Sequence, residues 1–395
     1  MADAGAFARL PMSSRAVAVE HIRNHGTLSR VELTRLMGLS APAVSAIVRK
    51  LIDDSLVAET GRGESSGGKP RTLLRLNPVA RYVVGLHLSF HSITYVLIDF
   101  EGDVIARWRR PNPLQGSDPK AVVARIVDQV GDMLEAVDVP WANVIGLGVA
   151  APGPLARDRG LLSAPPDMAG WAGFELRQAL ESRLRLPVLL DNDGTAAAAG
   201  TRLSTEHSEN SVAVLFMSDG IGSGLRTGAD VFAGSHGNAG EVGHLCVDVD
   251  GPRCWCGAKG CLEAVAGPSA MIRDARSLGL LPETADPSNL ASFSLLARLA
   301  LRGERSALEI IERSARYMAL GVQAVAAMFD PQLLVLTGPS FAVAGTLYLP
   351  AARSQIESSA FGRATGLRVV MDERGFDSAA IGAADIMLRS ETAAS

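Results

Sequence analysis

The chain has 395 residues, 47% of them apolar and 20% charged, and a formal net charge of −4. That length accommodates two or three domains with sizeable cores, and the apolar content marks a globular chain. No run approaches the ~18 consecutive apolar residues of a membrane span, and the opening residues carry Asp3 and no apolar stretch of the kind a secretion signal needs, so a cytoplasmic protein is expected.

The charge is unevenly placed. Residues 1–80 hold eleven Lys/Arg and seven Asp/Glu, a balance of +4 against −8 for the remainder. A basic head on an acidic body predicts that the head meets a polyanion. Val17, Val19 and Ile22 give Ser14–His25 a helical period, closed by Gly26. Ser29, with Glu32 three residues on, forms a capping box that starts a second helix reaching Met37. Gly38 allows a turn, and Ser40 and Pro42 start a third helix to about Asp54, with Val44, Ile47, Val48, Leu51 and Ile52 as its apolar stripe. Two helices across a short glycine-containing turn form the helix-turn-helix pattern. Leu56–Glu59 and Thr72–Leu76 read as a hairpin wing with a basic tip. The expected partner is double-stranded operator DNA. The third helix would enter the major groove with Ser40, Ala41, Ala43, Val44 and Ser45 nearest the bases. Arg49, Lys50, Arg62, Lys69 and Arg71 would hold phosphates.

After a boundary near residue 78 the pattern changes. Three strands follow in succession, Tyr82–Phe90, Ser92–Phe100 and Asp103–Trp108. Strands then alternate with helical stretches to Leu367–Val370, which predicts an α/β body over residues 79–395 with two similar halves.

The four cysteines are unevenly spread. Cys254, Cys256 and Cys261 lie with His244 inside eighteen residues. Three thiolates and an imidazole at this spacing can close a tetrahedral site, the arrangement of structural Zn²⁺. Glu241 and Glu263 flank the cluster, so the loop over residues 241–263 is expected to pin two carboxylates beside a metal. Cys246 matches no ligand position and reads as a buried apolar thiol.

Five segments carry a family resemblance: Ala151-Pro152-Gly153, Asp191-Asn192-Asp193, Asp219-Gly220-Ile221-Gly222-Ser223-Gly224, Glu241-Val242-Gly243-His244, and Cys254-x-Cys256-Gly257-x-x-Gly260-Cys261-x-Glu263. With the winged head, they make the chain resemble a regulator of the ROK family (repressor, ORF, kinase) over nearly its full length. The resemblance implies an actin/hexokinase-like body of two ribonuclease-H-like lobes around a sugar-binding cleft. It implies that Gly153, Asn192, Asp193, Glu241, His244 and Glu263 meet a monosaccharide effector, and that the protein is a homodimer or homotetramer. Asp193 would be the base if the chain were a kinase.

Sugar kinases of that family open the body with an Asp-x-Gly-Gly-Thr turn that lets backbone approach ATP phosphates. Here His87 stands in place of the Asp, Ser89 and Phe90 in place of glycines, and His91 in place of the Thr. Thr337-Gly338-Pro339-Ser340 departs from the paired glycines usual near the adenosine. Gly220–Gly224 survives in part, yet glycines in a tight strand turn need no nucleotide. The expectation is a sugar-responsive transcriptional regulator of carbohydrate metabolism, with a sugar cleft and no kinase reaction.

Overall fold

The computed structural model describes residues 13–62, 71–90, 92–111, 118–156, 161–162, 170–201, 209–228, 230–282 and 289–394. The head opens with α1 (Ser14–His25), capped by Ser13 and ended at Gly26 with φ +73°. β1 (Leu28–Ser29) leads into α2 (Arg30–Met37), where Ser29 and Glu32 form the predicted capping box. Gly38, at φ +64°, turns the chain into α3 (Ala41–Asp53). β2 (Val57–Arg62) and β3 (Thr72–Leu76) form the wing, and β1 joins β3 on its other side. β1 has no counterpart among the expected elements, because two residues carry no period.

The body has two five-stranded sheets. The first uses β4 (Tyr82–Leu88), β5 (Ser92–Asp99), β6 (Val104–Pro111), β7 (Val144–Ala151) and β10 (Val188–Asn192), in the order β10-β7-β4-β5-β6. β8 (Leu155–Ala156) and β9 (Leu161–Leu162) form a small hairpin beside it. α4 (Pro119–Ala136) and α5 (Leu176–Leu184) cover the sheet, and α6 (Asp193–Gly200) leaves the end of β10. The second sheet uses β11 (Ser211–Met217), β12 (Ile221–Thr227), β13 (Asp230–Val231), β14 (Leu333–Thr337) and β15 (Arg368–Met371), in the order β13-β12-β11-β14-β15. Each sheet begins with an antiparallel hairpin and ends with two parallel strands, so one topology occurs twice. This is the predicted pair of similar halves. The second lobe also carries α7 (Leu262–Ala266), α8 (Pro268–Ser277), α9 (Asn289–Leu301), α10 (Arg305–Phe329), α11 (Pro339–Ser358) and α12 (Ala360–Thr365).

The chain ends in α13 (Ser378–Ala394), which follows the last strand of the second lobe but packs on the first. It lies across β4 and β7, where Gly85 and Gly148 leave room. A Cβ at Gly85 would lie 2.1 Å from Ala380 O, and one at Gly148 would lie 1.9 Å from Ala383 O. The same helix meets α6 as closely, since a Cβ at Gly382 would lie 1.7 Å from Ala196 O. α11 and α13 have no counterpart among the helices expected from the sequence. α13 buries Ala379, Ala380, Ile381, Ala383, Ala384, Met387 and Leu388 on one side and Ser378, Gly382 and Asp385 on much of the other. A helix buried on every side lacks the one-sided stripe that reveals a surface helix.

The head does not hang on a single linker. Its core of Ile22, Leu33, Val44, Val48, Leu51 and Leu74 runs on into Val83, Val96, Ile98, Phe100, Met387 and Leu388 of the body. Arg23 donates to Phe100 O at 3.1 Å, and Arg75 grips Glu101 with two bonds of 2.8 Å.

Candidate functional site

The cysteine loop folds back on itself through Gly257 (φ +95°) and Gly260 (φ +69°). A Cβ at Gly260 would lie 1.6 Å from Asp248 O, so only glycine closes this turn. The fold brings His244, Cys254, Cys256 and Cys261 together, with all four donor atoms within 4.8 Å of one another. Cys254 Sγ lies 3.5 Å from His244 Nδ1, and Cys256 Sγ lies 3.7 Å from Cys261 Sγ. A tetrahedral ion with metal–sulfur bonds of ~2.3 Å and a metal–nitrogen bond of ~2.0 Å requires about these separations. Burial and the neighbouring sulfurs push the Cys254 thiol up and the Cys261 thiol to about 12. For Cys256 burial is outweighed by hydrogen bonds from the Ala258 backbone and the other thiols, and its thiol is lowered. Cys246 differs from the expectation, because it is exposed. Its backbone pairs with that of Cys261, but its thiol is not among the four donors that come together.

The cluster forms one wall of a cleft between the lobes, lined by Phe90, Gly153, Asn192, Asp193, Glu241, His244, Trp255 and Glu263 among others. All six residues that the family resemblance assigned to a sugar therefore meet at one place. Asn192 caps α6, accepting from Gly194 N at 2.8 Å and Thr195 N at 3.3 Å, and donates from Nδ2 to Glu241 Oε1 at 3.1 Å. Because Asn192 is the cap, Asp193 keeps Oδ2 turned toward the cleft, 3.9 Å from His87 Nε2. Glu263 accepts from Ile221 N at 2.9 Å and from Trp255 Nε1 at 2.8 Å. His244 directs Nε2 toward Glu241 Oε2 at 4.0 Å. Burial, then Asp193 and Glu263, push the Glu241 carboxyl up to about 7. A Cβ at Gly153 would lie 2.1 Å from Glu241 Oε1, so this glycine is the floor against which Glu241 lies. Three carboxylates and an amide in a partly dry cleft are the donors and acceptors that polyhydroxyl recognition needs.

Sequence reasoning did not assign Trp255, whose ring meets the His244 ring edge-on at 4.9 Å. Its place between Cys254 and Cys256 was the available signal, because a residue so tethered cannot be far from the cysteine cluster.

The turn compared with the kinases' phosphate turn is filled. His87 is buried, stacks edge-on against Phe216 of the other lobe at 5.6 Å, and its Nε2 finds no hydrogen-bond partner among the described residues. Ser89 closes the turn with bonds to Ser92 O and Ser92 Oγ, both 3.1 Å. The Phe90 N–H donates to Asp219 Oδ2 at 2.8 Å. His91 lies outside the described residues. Within the second glycine motif, Ile221–Thr227 is strand, and Gly224 serves packing, since a Cβ there would lie 2.3 Å from Gly194 O. In the Thr337–Ser340 segment, Thr337 Oγ1 donates to Asp372 and Ser340 Oγ to Ser218 O.

On the head, Ser40, Ala41, Arg49 and Lys50 are exposed on α3 and Arg71 on the wing, while Ala43 and Ser45 are half-buried. Ser40 makes no side-chain cap bond, which leaves its hydroxyl available. Val44 corrects the expectation: it is fully buried among Val48, Leu51 and Leu33 and meets no base. Ala46, two residues on and on another side of the same turn, is exposed. Lys69 and the side chain of Arg62 lie outside the described residues.

The family model described as the ROK family matches residues 83–390. The chain belongs to the ROK family. Its ROK relatives include the xylose repressor of Bacillus subtilis (strain 168), 24% identical over 377 residues and covering 95% of this chain and 94% of the relative. The DNA-binding transcriptional dual regulator NagC of Escherichia coli (strain K12) is 27% identical, covering 93% and 90%. A ROK family transcriptional regulator described as a homologue of the E. coli MLC protein superposes with a TM-score of 0.73 at 24% identity, covering 97% of this chain and 99% of that one. A ROK family glucokinase from Streptomyces griseus, solved with glucose and AMPPNP, gives a TM-score of 0.64 at 25% identity. It covers 77% of this chain and 98% of its own. The two ROK structures together account for a regulator's length and a sugar kinase's body. Among the described residues no single helix is long and apolar enough to cross a membrane.

Proposed function

We propose that the protein is a sugar-responsive transcriptional regulator, most simply a repressor, that binds operator DNA as a homodimer and carries a structural Zn²⁺. The observation that carries this reading is a physical link between the two ends. Asn192 and Asp193, at the cleft, begin α6. α6 packs on α13 through Gly200 and Gly382 with no space for a methyl group. At its far end α13 holds the head, because Arg389 binds Asp385 at 2.7 Å and Glu20 of α1 at 2.5 Å. Burial opposes the Arg389 charge, but Asp385 and Glu20 outweigh it and hold the guanidinium above its ordinary value. Glu20 also pairs with Arg23, which reaches Phe100 O. Removing one member of such a buried charge group leaves uncompensated charge and costs about 3–5 kcal/mol.

The effector is of the class named for the relatives, a monosaccharide or an acetylated amino sugar. Asn192, Asp193, Glu241 and Glu263 would bind its hydroxyls. His244, Cys254, Cys256 and Cys261 would hold zinc, which braces the loop that carries Glu241 and Glu263. A sugar that draws the lobes together displaces α6, and α13 passes the displacement to α1. In a dimer reading half-sites about 34–36 Å apart, a small change in head spacing lowers operator affinity. Dissociation constants of the full chain for an operator duplex, with and without a panel of sugars, test the reading; if no sugar alters them, the regulatory part falls. Arg389→Met should leave sugar affinity in place and remove the sugar's effect on DNA.

A second reading, an ATP-dependent sugar kinase with a DNA-binding head, has in its favour Asp193 and the likeness to a glucokinase. The filled turn at His87–Phe90 opposes it. Sugar phosphate formed above background from ATP, Mg²⁺ and hexoses would establish it.

A further inference from the structure

Resting on the sugar-binding reading, we infer that the cleft takes its sugar without a phosphate group, because a carboxylate of the chain, Asp219, already holds the backbone donor at the end of the cleft where a phosphate would sit. Phe90 N–H, in the hairpin turn of the first lobe, donates to Asp219 Oδ2 of the second lobe at 2.8 Å. A phosphate oxygen is the ligand such a turn would otherwise attract, and the two anions cannot share one donor.

The rest of the cleft has the same sign. Asp193, Glu241 and Glu263 line it, and no Lys or Arg stands among its described lining residues. His244 is basic, but its Nδ1 faces the thiols and its Nε2 faces Glu241. His87 is the remaining basic group. Its ring is buried against Phe216, and its Nε2 points at Asp193 Oδ2, so a proton there is matched by Asp193 first. Asp193 lines the same cleft as Phe90, whose N–H is held by Asp219. A phosphate on a sugar hydroxyl held by Asp193 brings about −1.5 to −2 charges into a cleft lined by Asp193, Glu241 and Glu263. A neutral sugar brings donors to the same carboxylates and no repulsion.

The experiment is calorimetric titration of the full-length protein with glucose, xylose and N-acetylglucosamine, and with glucose 6-phosphate, xylose 5-phosphate and N-acetylglucosamine 6-phosphate. The expected result is that the sugar that binds does so at least about tenfold more tightly than its own phosphate. Asp219→Asn should shrink that ratio by about fivefold or more, through stronger binding of the phosphate. A phosphate that binds the wild-type chain as well as its free sugar, or better, overturns the inference and makes His87 the phosphate partner. If neither form of any sugar binds, the sugar-binding reading itself fails and this inference goes with it. The wild-type ratio decides the matter even if Asp219→Asn does not fold.

Discussion

The two lobes place a hairpin turn at the same point of the same strand order, and they have treated it in opposite ways. In the first lobe, Ser89 and Phe90 fill the turn between β4 and β5, and Ser89 ties it shut to Ser92. In the second lobe, the turn between β11 and β12 keeps Gly220, over which Glu263 lies so closely that a Cβ would come within 2.5 Å of its Oε2. A glycine persists where a side chain must pass over the backbone, and it is dispensable where nothing must approach. On the proposed reading, the turn at Gly220 belongs to the half that would grip a sugar, and the filled turn at Ser89 and Phe90 to the half that a kinase would use for a nucleotide.

The largest effect is expected at the His244, Cys254, Cys256 and Cys261 cluster beside Glu263. Cys256→Ser, or chelation, should lower the melting temperature by more than about 5 °C and remove the sugar's effect on operator binding, because metal binding energy is folding energy for the loop. Metal analysis alongside thermal melts and operator titrations checks this. If the metal is gone and both properties persist, the second turn does not depend on the cluster.

Gly220→Ala attacks the same turn directly. The methyl group must displace Glu263 Oε2, which accepts from Ile221 N–H. Hydrogen bonds to a charged group contribute about 1.5–3 kcal/mol each, so sugar affinity should fall by about 30-fold or more. Calorimetric titration reads the loss. Unchanged affinity would mean that Glu263 does not touch the sugar. Glu241→Gln should weaken binding by about tenfold, yet leave the ligand-free melting temperature unchanged or higher, since it removes one of three carboxylates that repel one another. A lower ligand-free melting temperature would show that Glu241 is structural.

Much of this was legible in the sequence, for identifiable reasons. Ser29 with Glu32, and Gly26 and Gly38, bounded the head helices because caps are local chemistry that three or four residues spell out. The residues of the cleft were legible as a set, since His244 and three cysteines announce a metal and Glu241 and Glu263 adjoin them. What stayed hidden depends on the far ends of the chain meeting. Nothing in the local sequence pairs Glu20 with Arg389, or sets Asp219 beneath Phe90. Val44 was misplaced for a related reason: a helix period gives a stripe, but which flank of the stripe faces DNA follows from where α1 and the wing pack. Trp255 was passed over because an aromatic residue between cysteines has no pattern of its own.

The smallest expected effect comes from opening the filled turn. Ser89→Gly deletes a hydroxyl that bonds only within its own turn, to Ser92 O, Ser92 Oγ and Ser92 N–H. Three such local bonds and the added chain freedom of glycine amount to about 1–2 kcal/mol net, most of the loss being recovered by solvent at the turn. The melting temperature should fall by no more than about 2–4 °C, and sugar affinity should stay within about threefold of wild type. Nor should ATP binding appear, because His87, the Phe90 ring and the Asp219 contact all remain. Titration with sugar and with ATP–Mg²⁺ measures both. A large loss of sugar affinity in Ser89→Gly, set beside a small one in Gly220→Ala, would reverse the assignment of the two turns: the first would be the gripping half of the cleft, and the glycine of the second would serve strand packing alone.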